Sequence, residues 1–131
     1  MILPITTLSV SVAALMVIGL AALVSLRRMV GLELGDKGED VTLTRRIRAH
    51  GNFVEIVPLA LMLIALVEIS GNLKATIALA AVLLLARLAH AGGTLAGVAA
   101  VRGIGMLLTF VTLFGGVAVL AANFLLVGPL K

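Results

Sequence analysis

Residues 2–26 read ILPITTLSVSVAALMVIGLAALVSL, twenty-five positions without a charged side chain. As a helix this run is about 37 Å long at 1.5 Å per residue, more than the ~30 Å hydrocarbon layer of a bilayer. A cleaved secretory leader opens on basic residues, has a shorter apolar part and ends at small residues. Here the run is closed by Arg27 and Arg28 instead. It is therefore read as a retained membrane span, and the rest of the chain has to be searched for others.

Residues 27–44 are too charged to insert. Gly31, Gly35 and Gly38 lie among Glu33, Asp36, Lys37, Glu39 and Asp40, so this is the one substantial loop. A second span is predicted over residues 45–69. Its uncharged part, residues 56–67, is short, so it crosses only by taking Asn52 and Glu55 into or near the membrane. Ser70, Gly71 and Asn72 make a tight turn. A third span is read over residues 73–101, with Arg87 and His90 inside it. The fourth, residues 103–129, has no charge before Lys131, and Pro129 marks its end. Four apolar helices with short connections predict an all-α integral membrane protein, an antiparallel four-helix bundle forming a single domain over 1–131.

Composition agrees. Hydrophobic residues are 62% and charged residues 12%, against about 45–50% and 25% in soluble domains. Mean hydropathy is +1.27 and the pI is near 10.8. These values exclude a soluble enzyme, a disordered chain and a nucleic-acid-binding domain. The net charge of +4 comes from clustered basic residues. Arg27, Arg28, Lys37, Arg45, Arg46, Arg48 and Arg102 share one end of the bundle, and only Lys74 and Lys131 lie at the other. The basic end is expected in the cytoplasm, with both termini on the opposite side of an inner membrane. The chain has no Cys, Trp or Tyr. Disulfides, thiolate metal sites and Cys nucleophiles are excluded, and no phenol can act as a donor. No metal is implied, because His and acidic residues show no ligand spacing.

Ionisable residues at membrane depth are costly, so they carry most of the functional information. On a helical wheel Arg45, Arg48, Asn52 and Glu55 fall within an arc of about 80°, and Arg87, His90 and Thr94 within about 60°. The opposite face of the third helix carries Ala89, Gly93 and Gly97, and the fourth has Gly105, Thr109, Thr112 and Gly116. Both stripes suit close helix packing. If the two polar stripes converge, they form a cleft with several cations, one carboxylate and an amide. Such a cleft suits a small zwitterion with more than one carboxylate and a free amine. It also opens to lipid, so a hydrophobic small molecule or lipid can enter sideways. The plainer reading has Glu55 and Arg87 as a buried ion pair. His50 lies off the stripe, Arg27 and Arg28 are basic anchors, and Glu68 reaches water near the far end of its helix.

Residues Arg45 to Pro58, RRIRAHGNFVEIVP, resemble the second-helix motif R-A-H/Q-x-N-x-x-E-x-x-P of the MAPEG family, the membrane-associated proteins in eicosanoid and glutathione metabolism. Ser25 to Arg28 is similar to the end of that family's first helix, and Arg87 to His90 to its third-helix motif. Arg102 falls where the family carries its catalytic arginine, allowing a one-residue gap. The resemblance implies a homotrimer with bent glutathione as co-substrate at each subunit interface. It implies glutathione contacts from Arg48, Asn52 and Glu55, with Arg27, His50 and His90 as further contacts. Arg87 and Thr94 lie on the same polar stripe as His90 and join the candidates. Arg102 is implied to stabilise the thiolate, since a cation beside a thiol of pKa about 8.5 favours its nucleophilic form.

The family often places tyrosines where this chain has Ile56, His90 and Thr94. The activity expected is glutathione transfer to hydrophobic electrophiles, or glutathione-dependent peroxide reduction. The alternative is a non-catalytic lipid- or glutathione-binding protein of the same fold, which the missing tyrosines favour. A small multidrug exporter ranks lower, because it needs an acidic residue in the first span and this one has none.

Overall fold

The computed structural model describes residues 2–33 and 40–127. Gly35, Lys37 and Gly38 of the expected loop, and Pro129 and Lys131 after the fourth span, lie outside the described residues. Four helices follow one another: α1 (Pro4–Glu33), α2 (Val41–Ile69), α3 (Leu73–Ala96) and α4 (Ala99–Val127). All four contain stretches long and apolar enough to cross a membrane, and the described residues contain no strand. The protein is an all-α four-helix integral membrane protein.

Local chemistry sets the helix ends. Pro4 opens α1, where its missing N–H costs nothing. The Glu68 carboxylate at the end of α2 accepts from Ile5 N (3.0 Å), Thr6 N (2.8 Å) and Thr6 Oγ1 (2.6 Å). Glu68 therefore does not simply reach water: it caps α1, because a helix N-terminus offers unpaired N–H groups and positive potential. At the other end α1 continues past residue 26 through Arg27 and Arg28 to Glu33. The next helix, α2, starts one turn earlier than residue 45, because Asp40 caps it and accepts from Leu43 N at 3.0 Å. Asn72 caps α3 in the same way through Ala75 N, after Gly71 turns the chain at φ +82°.

The third helix ends at Ala96, short of residue 101. Gly97 adopts φ +75°, and Val98 N returns to the Gly93 carbonyl at 2.8 Å, a left-handed closing turn that glycine favours. As a result α4 begins at Ala99, and Arg102 belongs to its first turn rather than to a loop between spans.

The inner pair α2 and α3 pack together, with α1 and α4 on opposite flanks and not touching each other among the described residues. Glycine brings α3 and α4 close. A Cβ on Gly93 would run into the Arg102 backbone, and one on Gly105 into the His90 backbone and the Ala86 carbonyl. Gly97 plays no part in that packing, since a Cβ there would strike the Arg45 guanidinium. The hydroxyls of Thr109 and Thr112 donate to the carbonyls of Gly105 and Leu108.

Two apolar clusters form the core. One joins Ala13, Leu20, Ala49, Phe53, Val57 and Ala91, and the other Ala60, Ile64, Val67, Leu79, Ala80 and Leu83.

Two contacts tie α1 to the start of α2. Arg27 Nε donates to Asp40 Oδ2 at 2.7 Å, and Arg46 Nη1 to the Leu23 carbonyl at 2.7 Å. The Leu43 N–H, with Arg27 beside it, holds the Asp40 carboxyl below the usual carboxylate range. A lowered folded pKa means stability that is present above the unfolded value of about 3.9 and lost as pH falls through the folded value. In Asp40→Asn the cap is kept and the charge removed. The Tm gap between wild type and this variant is expected to be open at pH 6 and to close below pH ~3.9 as Asp40 protonates. A gap constant with pH would mean that the charge contributes nothing.

Candidate functional site

At the Arg-rich end of the bundle, α2, α3 and α4 border an open cavity of about 420 Å³ lined by Ile47, Arg48, Gly51, Asn52, Glu55, His90, Thr94 and Arg102. Its polar residues have simple local causes. The Asp40 cap starts α2 in a register that puts Arg48, Asn52 and Glu55 on one face, one turn apart. His90 and Thr94 are likewise a turn apart on α3 and buried. Arg102 is brought over the cavity because Gly93 lets the first turn of α4 lie against α3. A second cavity of about 290 Å³ adjoins the first. It shares Arg48, Thr94 and Arg102 with it and adds Val41, Thr44, Arg45 and Gly97.

Six sequence-predicted residues therefore meet: Arg48, Asn52, Glu55, His90, Thr94 and Arg102. Three others do not line the cavity. Arg27 is turned to Asp40, His50 is half-buried on another face of α2, and Arg87 lies behind the cavity wall. Arg45, at the edge of the expected α2 stripe, lines the adjoining cavity, and Ile47 and Gly51 complete the lining of the first. The wheel places Ile47 and Gly51 beside Arg48, but apolar and glycine positions give no chemical signal by themselves.

Arg87 is 1% exposed. It does not pair with Glu55; among the described residues the only ion pair is Arg27–Asp40. Arg87 Nη2 donates to Asn52 Oδ1 at 2.7 Å and lies 2.9 Å from His90 Nδ1, while Nη1 reaches Thr109 Oγ1 at 3.3 Å. Its guanidinium carbon sits 5.8 Å from the centre of the Phe53 ring, and its Nε is buried without a partner. The reason is position along the axis: Asn52 sits one turn nearer the start of α2 than Glu55 and meets Arg87, whereas the Glu55 side chain is exposed. A buried cation without a carboxylate is expensive, and its potential adds to that of Arg48 and Arg102. With one carboxylate against two lining cations, the cavity favours an anion.

Thr94 Oγ1 donates to the His90 carbonyl at 2.7 Å, so its hydrogen is spent within α3. No group of three or more His or acidic residues that could hold a metal occurs among the described residues.

A second groove, about 250 Å³ and apolar, runs between α1 and α2 along Ala13, Val17, Phe53, Val57 and Pro58. Leu15, Ile18, Leu59, Met62, Leu107 and Phe114 are well exposed on the outside of the bundle.

No curated protein matches this chain, and no solved structure matches it. Residues 5–122, the greater part of all four helices, match the family model described as the MAPEG family. With that match over the same four helices that carry the polar cavity, the chain belongs to the MAPEG family.

Proposed function

We propose that this protein is a glutathione-dependent transferase or peroxidase that acts on hydrophobic electrophiles in a bacterial inner membrane. The observation that carries the reading is the cavity where Arg48, Asn52, Glu55, His90 and Arg102 converge at one end of a lipid-embedded bundle. Its donor set fits glutathione. Arg48 can take a carboxylate bidentately. Glu55, unpaired among the described residues, offers the one countercharge for an amine. Arg102 lies at the N-terminal turn of α4, where side chain and helix dipole both favour negative charge. Bound glutathione supplies the nucleophilic sulfur. Arg102 holds that sulfur ionised, and the lipid-facing wall admits the apolar partner.

Glu55 and Arg48 are exposed on the protomer, and a bare carboxylate at membrane depth is costly. A homotrimer lowers that cost where a neighbouring copy sets polar or basic groups beside Glu55. The excess of basic residues at the cavity end supports a cytoplasmic location for that end, with both termini opposite.

Purified protein is expected to conjugate glutathione to an apolar aryl halide, and glutathione is expected to raise its Tm by mass action. Glu55→Gln should shrink that rise, since the amine loses its countercharge. A Tm rise of the same size in the variant would leave Glu55 without a binding role. A Tm rise without conjugation would favour the non-catalytic reading, to which the absence of Tyr and the occupied Thr94 hydroxyl already point.

A further inference from the structure

A guanidinium carries five N–H donors and no acceptor. Every group that hydrogen-bonds to Arg87 must therefore turn an acceptor toward it. Thr109 does so with its hydroxyl oxygen, having given its hydrogen to the Gly105 carbonyl. Asn52 does so with Oδ1, which leaves its amide N–H groups for the other side. His90 meets Arg87 through Nδ1. That nitrogen must carry the lone pair, so the ring proton resides on Nε2. A doubly protonated ring would set N–H against N–H at 2.9 Å. His90 is 5% exposed and lines the cavity. Its Nε2 has no partner among the described residues, yet it is not one of the sealed-off unpaired atoms. The free ring edge therefore opens into the cavity.

We propose that Arg87 is a positioning residue: by donating to Asn52 Oδ1 and His90 Nδ1 it fixes His90 as the neutral Nε2–H tautomer and turns the donor ends of both residues into the cavity. Arg87 never touches the ligand, yet it decides which groups the wall offers. A wall made of Asn52 N–H and His90 Nε2–H accepts a carboxylate or thiolate and has no acceptor for an ammonium, which is left to Glu55. The ligand side of this inference rests on the glutathione reading; the tautomer does not. Structural glue between α2, α3 and α4 would need the same bonds but would be indifferent to what His90 presents to the cavity.

The test is long-range proton–nitrogen NMR on protein labelled with nitrogen-15 histidine in detergent micelles. The chain has two histidines, so His50→Gln leaves the His90 signals alone. The expected spectrum shows Nε2 protonated and Nδ1 bare at neutral pH. Arg87→Met should release His90 into a mixture of tautomers, whereas Arg87→Lys, still a donor, should keep one. A ring protonated at Nδ1 or at both nitrogens, or one unchanged in a folded Arg87→Met protein, would overturn the proposal. If Arg87→Met does not fold, two His90 variants decide. His90→Met keeps a weak thioether acceptor for Arg87 but has no donor for the cavity, and should weaken glutathione binding by about tenfold with the fold intact. His90→Gln carries both an acceptor and a donor and should bind more tightly than His90→Met. Equal affinity in the two would mean glue only. A spectrum as expected, with signals that glutathione does not move, would refute the glutathione reading and leave the positioning role standing.

Discussion

Arg102→Ala is expected to lower turnover by about a hundredfold or more while leaving glutathione affinity nearly unchanged. Removing one preorganised group that stabilises developing or formed negative charge costs about 10²–10³ in kcat. In the proposed function, affinity draws mainly on carboxylate and amine grips by Arg48 and Glu55, which Arg102 does not supply. Arg102 is exposed, lines both polar cavities and has no ion-pair partner among the described residues, so its charge is available to a ligand. The Thr94 hydroxyl already donates to a backbone carbonyl, and the chain has no tyrosine to compensate. Ultraviolet thiolate absorbance during a glutathione titration at neutral pH checks this directly. It should grow in wild type and be weak in the variant. Equal absorbance in both would reduce Arg102 to a basic anchor at the membrane surface.

Gly93→Ala is expected to be among the most damaging single substitutions, whereas Gly92→Ala next to it should cause no loss of stability. A Cβ on Gly93 lands on the Arg102 backbone nitrogen and 2.9 Å from both Arg102 Cα and the Val101 carbonyl carbon, all main-chain atoms that cannot swing aside. At Gly92 nothing lies within 4 Å. The first turn of α4 would have to move away from α3, and overpacking of this kind costs about 1–3 kcal/mol or more. For a chain of this size that is a fall in Tm of roughly 5–15 °C. The same shift would pull Arg102 from the cavity, so glutathione-dependent activity should fall more than the remaining folded fraction does. Gly105→Ala, with its Cβ against the His90 backbone, should behave in the same way. Thermal unfolding in detergent followed by tryptophan-independent means, such as circular dichroism, checks all three. A Gly93→Ala protein as stable as wild type would show that α3 and α4 are not so closely packed.

Much of this protein is legible in its sequence. Four charge-poor runs determined four membrane helices, because a bilayer penalises every exposed charge and unpaired peptide group. The spacing of Arg48, Asn52 and Glu55, and of His90 and Thr94, determined which residues share a face, because the 3.6-residue period fixes angles around a single helix. What periodicity does not carry is how far one helix is shifted or rotated against another. That offset gave Arg87 to Asn52 rather than to Glu55, since one turn along α2 separates the amide from the carboxylate, whereas the contact to His90, three residues on in α3, follows from the helix period itself. The offset gave Glu68 to the start of α1, more than sixty residues away in sequence. It also separated three glycines that look alike in the chain: Gly93 and Gly105 admit a neighbouring backbone, while Gly97 ends a helix at positive φ. A hydrogen bond is won or lost over a few tenths of an ångström, and each residue advances a helix by about 1.5 Å. The candidate residues were therefore set by sequence, and their pairing by the packing of the helices.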